Sequence, residues 1–133
     1  MSNAVKTLLI AAAAIAAPAA ASPAGGPDAK LEKMLAGRVA GEPVGCIPLR
    51  GATSSRVVDG RAIVYRVGAT LYVNEPRAGG DLLDDDDLLV TRTIGSQLCR
   101  IDTVQLVDQV GLFPRGFVVL GDFVPYTRAK RAN

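Results

Sequence analysis

The chain contains no histidine and no tryptophan, and each absence excludes common kinds of site. Without histidine, Ser-His-Asp triads, histidine-based zinc centres and most general-base schemes are not available. Other aromatic residues are few, with three Phe and three Tyr. Glycoside hydrolysis needs a pair of suitably spaced carboxyls and a sugar-binding cleft, which is usually rich in aromatic side chains. The composition therefore disfavours a carboxylate-based hydrolase as well.

Positive charge is present, but it is not concentrated before the last few residues. The chain carries 15 basic and 13 acidic residues, a formal net charge of +2. A nucleic-acid surface needs cations clustered on one face or stripe, whereas most arginines here stand singly along the chain. The one cluster, Arg128-Ala129-Lys130-Arg131, is predicted to belong to a solvated basic tail over 128–133. We therefore expect no nucleic-acid partner.

The hydrophobic run near the N-terminus is short. The uncharged segment Thr7–Ala17 falls well below the about 20 apolar residues that span a bilayer. Lys6 precedes this run, and small residues follow at Ala19 and Ala21, which is the layout of a secretory signal peptide. We predict that 1–21 is a signal peptide cut after Ala21, with a cut after Ala19 as the alternative. The mature chain is then periplasmic or secreted and has no transmembrane segment.

Only two cysteines are present, Cys46 and Cys99. Export takes both to an oxidising compartment, where two thiols in one small domain most simply pair with each other. The bridge would close a loop of about 54 residues, for which the chain-entropy model gives roughly 4 kcal/mol as an upper figure. A nucleophilic or redox thiol is the alternative, but the chain has no C-x-x-C pair and no histidine to activate a thiolate.

The region 22–43 is predicted to be a flexible leader followed by one short helix. Asp28 is in place to cap the helix, and Glu42-Pro43 ends it. Four apolar residues follow helical spacing: Leu31, Met34, Leu35 and Val39. We expect this stripe to lie across the core, with a partner-binding helix as the alternative.

From Val44 to Thr127 the pattern changes to that of a β domain. Asp59-Gly60 between two β-rich runs predicts a two-residue hairpin with a type I′ turn. Gly68-Ala69 predicts a type II′ turn, and that register places like residues opposite each other: Tyr65 with Tyr72, and Val64 with Val73. Neither face of this meander is cleanly polar, so we expect both faces to be partly covered.

Further short strands follow at regular spacing. The segment 46–50, which contains Pro48, suits a sheet edge. Other strands are predicted at 88–92, at 98–107 as one bent strand or two, and at 123–126. The segment 110–116 is predicted as a loop, and 117–120 as a buried central strand. The predicted fold class is mainly β, a small antiparallel barrel or sandwich with one short N-terminal helix.

Four consecutive carboxylates occupy the segment 84–87. An EF-hand loop alternates its ligands, has Gly at its sixth position and ends in Glu, and this segment meets none of these requirements. Adjacent residues of an extended segment point to opposite faces, so the carboxylates cannot converge without a tight turn. A solvated acidic loop is the favoured interpretation. The alternative is a weak calcium site formed by Asp81, Asp84, Asp85, Asp86 and Asp87.

Several stretches in a fixed order carry a resemblance to a known family. They are the segments 46–50 (CIPLR), 56–60 (RVVDG), 72–74 (YVN), 95–99 (GSQLC), 101–104 (IDTV), 115–116 (RG) and 120–125 (LGDFVP). With these motifs the chain resembles a family of small, uncharacterised exported proteobacterial proteins, classed as a domain of unknown function. The resemblance covers most of 46–126 and implies export and a fold, but no activity.

The same resemblance bears on the disulfide. Many members of the family carry two further cysteines, one in the loop that here is 78–82 and one just before Leu120-Gly121. This chain lacks both, as expected if they bond to each other, and the resemblance then implies that Cys46 pairs with Cys99.

The sequence favours a non-catalytic exported envelope protein that binds an unidentified partner or small ligand. The first alternative is a weak calcium-binding module that uses the acidic segment. The second is a carboxylate-based hydrolase. No catalytic residue is predicted, and no cofactor is expected apart from the calcium of the first alternative.

Overall fold

The computed structural model of the chain describes residues 12–15 and 26–130. Most of the predicted signal peptide, the leader up to residue 25, and residues 131–133 of the predicted basic tail lie outside the described residues. Of the helices in the described part of the chain, none combines the length and the apolar character that crossing a bilayer requires.

One α-helix, α1 (Pro27–Leu35), begins the described domain. Pro27 occupies the first turn, where its missing N–H removes no helical hydrogen bond. The prediction that Asp28 caps the helix is wrong, because Gly26 holds the N-cap position and no side chain caps it. Asp28 lies in the first turn, where its charge complements the helix dipole, and its Oδ1 accepts a hydrogen bond from Arg61 Nε at 2.8 Å.

The helix is shorter than the apolar stripe predicts. Gly37 adopts a left-handed φ of 74°, a conformation that glycine reaches without steric penalty. The chain then enters β1 (Arg38–Ala40), which pairs with the last strand of the domain. Val39 is therefore a strand residue, 57% exposed, and not the last residue of a helical stripe.

Nine further strands and one 3₁₀ turn complete the domain. The strands are β2 (Cys46–Pro48), β3 (Ala52–Val58), β4 (Ala62–Val67), β5 (Thr70–Asn74), β6 (Asp87–Thr91), β7 (Gln97–Cys99), β8 (Thr103–Asp108), β9 (Pro114–Val119) and β10 (Phe123–Arg128). The 3₁₀ turn, Gly80–Leu82, lies between β5 and β6.

The strands form three antiparallel sheets. The largest has the order β1-β10-β5-β4-β3, a second pairs β2 with β7, and a third has the order β6-β8-β9. The prediction of a mainly β antiparallel fold with one short N-terminal helix is confirmed. Of the two predicted arrangements the barrel is wrong, since the sheets of the described residues do not close on themselves.

The β4–β5 hairpin has the predicted register throughout. Val67 pairs with Thr70 across Gly68-Ala69, and the register also brings Tyr65 opposite Tyr72. Gly68 has a φ of 59° and Ala69 has a negative φ, as a type II′ turn requires at its two central positions. Local turn chemistry therefore fixes this hairpin.

The β3–β4 hairpin is present, but its turn differs from the prediction. Val58 pairs with Ala62, so three residues form the loop. Positive φ occurs at Gly60 but not at Asp59, which excludes type I′. Arg61, which a two-residue turn would place in β4, instead forms ion pairs with Asp28 and Glu75.

Strand β9 differs from the predicted buried central strand. It starts at Pro114, inside the predicted loop, and it lies at an edge of the three-stranded sheet. Val118 is buried, but Phe117 is 61% exposed. The alternation follows from the pleat, which turns successive side chains of a strand to opposite faces of the sheet.

Both faces of the five-stranded sheet are covered, as predicted. One face meets the other two sheets around the larger core, whose fully buried members include Ile47, Ile63, Leu98, Leu106 and Phe123. The opposite face is covered by α1, where Leu31 packs with a smaller cluster that contains Val64 and Val73. The sheet is thus the middle layer of the molecule.

The predicted disulfide is confirmed. Cys46 and Cys99 are directly opposite each other in the β2–β7 sheet and their sulfur atoms are bonded. Asp102 supports the bridge, since its Oδ2 accepts a hydrogen bond from the Cys99 N–H at 2.7 Å. The bridge covalently joins the start of the β domain to the strands that follow the acidic segment.

Candidate functional site

The acidic segment folds as a sequence of turns and not as one extended chain. After the 3₁₀ turn, Leu83 is buried in the larger core and anchors the segment. Asp84 then closes the next turn, because its Oδ1 accepts from the Asp86 N–H at 3.0 Å and its carbonyl oxygen accepts from the Asp87 N–H at 3.1 Å. Asp87 begins β6. The four carboxylates therefore do not gather as one group.

Tertiary contacts separate the predicted metal ligands into groups. Asp84 and Asp85 converge with Asp59 of the β3–β4 turn, with one carboxylate oxygen from each residue within 4.8 Å of the others. Asp87 lies outside this group, and its side chain, 2% exposed, is ion-paired with Arg115. Asp81, in the 3₁₀ turn, and Asp86 do not belong to this convergent group.

Asp59 was not among the sequence candidates. It reaches the acidic segment through backbone pairing, since the Gly60 N–H donates to the Leu83 carbonyl at 2.9 Å. The fold alone brings Asp59 to the acidic segment, and no local sequence pattern predicts this contact.

The convergent carboxylates already have internal partners. Asp59 Oδ1 accepts a hydrogen bond from the Asp85 N–H at 2.7 Å, and Asp85 Oδ2 accepts from Lys30 Nζ at 2.9 Å. The hydrogen bond to Asp85 is the main cause that raises the pKa of Lys30, so the ammonium is retained beside the cluster. With the hydrogen bond from the Asp86 N–H to Asp84, all three convergent carboxylates accept hydrogen bonds from groups of the protein, and calcium binding stays a prediction.

A cleft of about 550 Å³ lies beside this cluster, between the free edges of β3 and β6. We call it the β3–β6 cleft. It is lined by residues of α1, β3, the acidic segment, β6 and the β8–β9 loop: Lys30, Ser55, Arg56, Val57, Asp85, Asp87, Leu88, Leu89 and Gln109. Val57 is buried in the larger core and Leu89 packs against that core, whereas Ser55 and Arg56 are exposed.

One charge in the cleft is not compensated. Lys30 pairs with Asp85, and Asp87 pairs with Arg115. Arg56 forms no ion pair with any residue between 26 and 130. The guanidinium of Arg56 is close enough to lower the pKa of Lys30, an effect smaller than the rise caused by the hydrogen bond to Asp85. The cleft therefore presents an available cation beside partly apolar walls.

The two carboxyls that line the cleft are poorly arranged for hydrolysis. A carboxylate-based hydrolase needs one acid that stays protonated to supply a proton. Asp85 and Asp87 are instead held in ion pairs, with Lys30 and Arg115 respectively. This chemistry suits the binding of a charged or polar group better than proton transfer.

A second exposed feature is the tip of the β8–β9 hairpin. Val110 is 95% exposed, Leu112 68% and Phe113 54%. Leu112 has a left-handed φ of 55°, a conformation that costs a non-glycine residue about 1–2 kcal/mol. The Asp108 carboxylate holds the loop by accepting hydrogen bonds from the backbone N–H groups of Val110 and Gly111. Sequence reasoning predicted a loop here but not its apolar surface.

Comparisons with known proteins give no match: no family model fits the chain, and neither the curated proteins nor the solved structures contain a significant relative. The family resemblance of the sequence motifs accordingly stays a prediction. The chemical character of the β3–β6 cleft is the remaining basis for a function.

Proposed function

We propose that this chain is a non-catalytic exported protein of the bacterial envelope, and that it binds a partner or ligand in the β3–β6 cleft. The observation that carries the proposal is Arg56, a cation that lines a cleft of about 550 Å³ and has no ion-pair partner among the described residues. An anionic group of the ligand would provide the missing partner.

The disulfide supports the extracytoplasmic part of the proposal. Structural disulfides persist in oxidising compartments such as the periplasm or the exterior and are rare in the cytosol. The predicted signal peptide supplies the route, and the family resemblance agrees with it. Whether the mature protein stays in the periplasm or is secreted is decided by fractionation of cells that express the full chain.

Export has a direct test. The full chain is expressed in a Gram-negative host, and the protein recovered from the periplasm and the medium is weighed intact. We expect the mass of a chain that begins at Ser22, less the two hydrogens that are lost when the disulfide forms. A full-length product retained in the cytoplasm with two free thiols would contradict export.

Binding is tested by capture from envelope extracts with the exported protein as bait. The Arg56→Ala variant should capture about two- to fivefold less of the molecule, the range of an exposed ion pair, whereas Arg50→Ala should capture it unchanged. Arg50 is the matched control because it is an exposed arginine in the turn after β2, outside the cleft. Capture that is insensitive to Arg56→Ala but lost in Phe113→Ser would move the site to the hairpin tip and contradict the cleft.

The other two functions have less support. The weak calcium site has less support because Lys30 and two backbone amides donate hydrogen bonds to the three convergent carboxylates. The hydrolase has less support because the two carboxyls among the described residues that line the cleft, Asp85 and Asp87, are both ion-paired. Addition of millimolar calcium should leave the melting temperature unchanged under the proposed function and raise it under the calcium hypothesis.

A further inference from the structure

The β3–β6 cleft lies between two unpaired strand edges. β3 ends the five-stranded sheet, β6 ends the three-stranded sheet, and the two strands do not pair with each other. A free edge presents a row of backbone N–H and C=O groups that can pair with another chain. In an antiparallel pair, residues alternate between those whose backbone groups bond to the neighbouring strand and those whose groups point away from it. This alternation, which we call the hydrogen-bond phase of a strand, tells which residues of β3 and β6 present their backbone groups at the free edge.

The turn at the end of β3 fixes its phase. The Arg61 N–H donates to the Val58 carbonyl at 2.9 Å, so the backbone N–H and C=O groups of Val58 face β4. Because bonded and non-bonded positions alternate, the backbone groups of Arg56 face β4 as well. The N–H and C=O groups of Ser55 and Val57 then point away from the sheet, toward the cleft that these residues line.

The β4–β5 turn gives the same phase independently. Val67 and Thr70 close a two-residue turn and are therefore a hydrogen-bonded pair. The backbone N–H and C=O groups of Arg66, the residue before Val67, must then face β3, where Arg66 pairs with Ser54. Ser54 facing β4 leaves Ser55 facing the free edge, in agreement with the first turn.

The β6 edge is fixed in the same way. The Asp108 N–H donates to the Phe113 carbonyl at 2.9 Å, so the backbone groups of Asp108 face β9. Those of the preceding residue, Val107, therefore face β6. Val107 pairs with Leu88, and the next residue, Leu89, therefore presents its backbone groups to the cleft. Asp87 agrees with this phase, because its N–H leaves the sheet and bonds to the Asp84 carbonyl.

These outward groups lack partners within the described chain. No turn, loop or side-chain hydrogen bond among residues 26–130 reaches the outward N–H or C=O of Ser55, Val57 or Leu89. Val57 is only 6% exposed, and backbone groups at such positions are nearly always paired in folded proteins. The cleft thus holds backbone donors and acceptors on both sides and one uncompensated cation, Arg56.

We propose that the occupant of the cleft is an extended peptide segment with an acidic side chain, which adds a strand to the free edge of β3. This inference rests on the proposed function, since it names the ligand of the same cleft. Main-chain hydrogen bonds to Ser55 and Val57 supply sequence-independent affinity, as in other cases of strand addition. The acidic side chain pairs with Arg56 and selects among peptides.

The probe is a synthetic pool of capped heptapeptides with a central Glu flanked by mixed Thr, Val and Ser, residues that mostly suit extended chains. The matched pool carries a central Lys. We expect the exported protein to retain the Glu pool in preference. Arg56→Gln should weaken binding of the Glu pool about two- to fivefold, the range of an exposed ion pair.

Strand addition is separated from simple anion binding by the backbone. Amide hydrogen exchange at Ser55 and Val57 should slow when the Glu pool binds, and exchange at Arg56, already bonded to β4, should not. Ser55→Pro removes an outward N–H while leaving the β3–β4 ladder intact, a placement that proline tolerates at sheet edges. It should abolish binding of the pool, and Ser55→Thr should retain it.

A second arm leaves the protein unchanged. Peptides N-methylated at alternate residues cannot donate to the edge and should fail to bind, even if Ser55→Pro does not fold. Glu-pool binding without protection of Ser55 and Val57, or equal binding of free glutamate, would overturn strand addition.

The two proposals fail differently. If an envelope partner is captured through Arg56 but neither pool binds, strand addition is wrong and the proposed function stands. If no captured molecule depends on Arg56, the proposed function fails and strand addition fails with it.

Discussion

Asn74 is the one fully buried polar side chain between residues 26 and 130, and it joins two segments. Its Nδ2 donates to the Gly121 carbonyl at 2.8 Å, and its Oδ1 accepts from the Gly121 N–H at 3.0 Å. Gly121 cannot carry a side chain there, since a Cβ would lie 2.4 Å from the Glu75 carbonyl oxygen. One side chain therefore satisfies both backbone groups of a glycine that the packing requires.

Asn74→Ala would leave the Gly121 N–H and C=O buried without partners. Each unsatisfied group costs about 1–3 kcal/mol, so we expect the free energy of unfolding to fall by about 2–4 kcal/mol in urea denaturation. Gln105→Ala, an exposed position, should change it by less than about 0.5 kcal/mol. Equal effects of the two substitutions would show that the Asn74 hydrogen bonds contribute nothing specific.

Tyr65 shows the opposite condition, a buried hydroxyl with no hydrogen-bond partner among the described residues. Its ring packs edge-to-face on Phe123, with ring centroids 5.9 Å apart. Because the Tyr65→Phe substitution keeps this ring contact and removes the unsatisfied hydroxyl, we expect the free energy of unfolding to rise by about 1 kcal/mol. A loss of stability in calorimetry would mean that the hydroxyl has a partner, such as an ordered water.

The same phenol predicts a pH dependence. Burial raises the pKa of Tyr65 above its ordinary value of 10.0. The folded state then keeps the proton at pH values where the unfolded chain has lost it, so this contribution is complete below pH 10 and declines as the pH rises further. Thermal melts between pH 9 and 11.5 should show a shallower loss for Tyr65→Phe than for Tyr72→Phe. Parallel curves for the two variants would contradict the burial of the Tyr65 hydroxyl.

At the scale of elements, α1 covers the outer face of the five-stranded sheet with one buried residue. Leu31 is that residue, and Val64 and Val73 belong to the same cluster. Leu31→Ala should lower the free energy of unfolding by about 2–3 kcal/mol, the lower part of the range for buried leucines. Lys33→Ala, on the exposed side of the helix, is the control. Little change in both variants would show that α1 does not contribute to the cooperative unit.

Sequence reasoning succeeded where an element depends on adjacent residues. Gly68 sets the β4–β5 turn by its positive φ, and the register of the whole hairpin follows from that turn. It failed where an element depends on a distant partner. Val39 fits a helical stripe by spacing, yet it forms β1 because Thr127 lies opposite it in β10. Phe117 looks like a core residue by composition and is exposed at a sheet edge.

The same limit applies to the candidate site. The acidic residues were visible in the sequence, but their partners Lys30 and Arg115 come from distant elements. The unpaired edges of β3 and β6 depend on the order of strands in two sheets, which no local pattern encodes. The disulfide was predictable because two cysteines allow a single intramolecular pairing.

At the scale of the whole molecule, the disulfide supports the weakest of the three sheets. A two-stranded sheet is marginal by itself, yet β2 and β7 contribute the fully buried Ile47 and Leu98 to the larger core. Cys46 and Cys99 hold these strands in register, 53 residues apart in sequence. Loss of the bridge should therefore affect both the unfolded chain and this corner of the core.

Reduction by dithiothreitol, or the double substitution Cys46→Ser with Cys99→Ser, should lower the free energy of unfolding by roughly 2–4 kcal/mol. Urea denaturation of oxidised and reduced protein measures the difference, and the exposed Cys46 gives the reductant access. If the bridge acted only on the unfolded chain, amide exchange in the native reduced protein would be unchanged. We expect faster exchange in β2 and β7 before β4 and β5 are affected, because the five-stranded sheet holds its own register through two hairpins. Uniform acceleration across all three sheets would contradict this local role of the bridge.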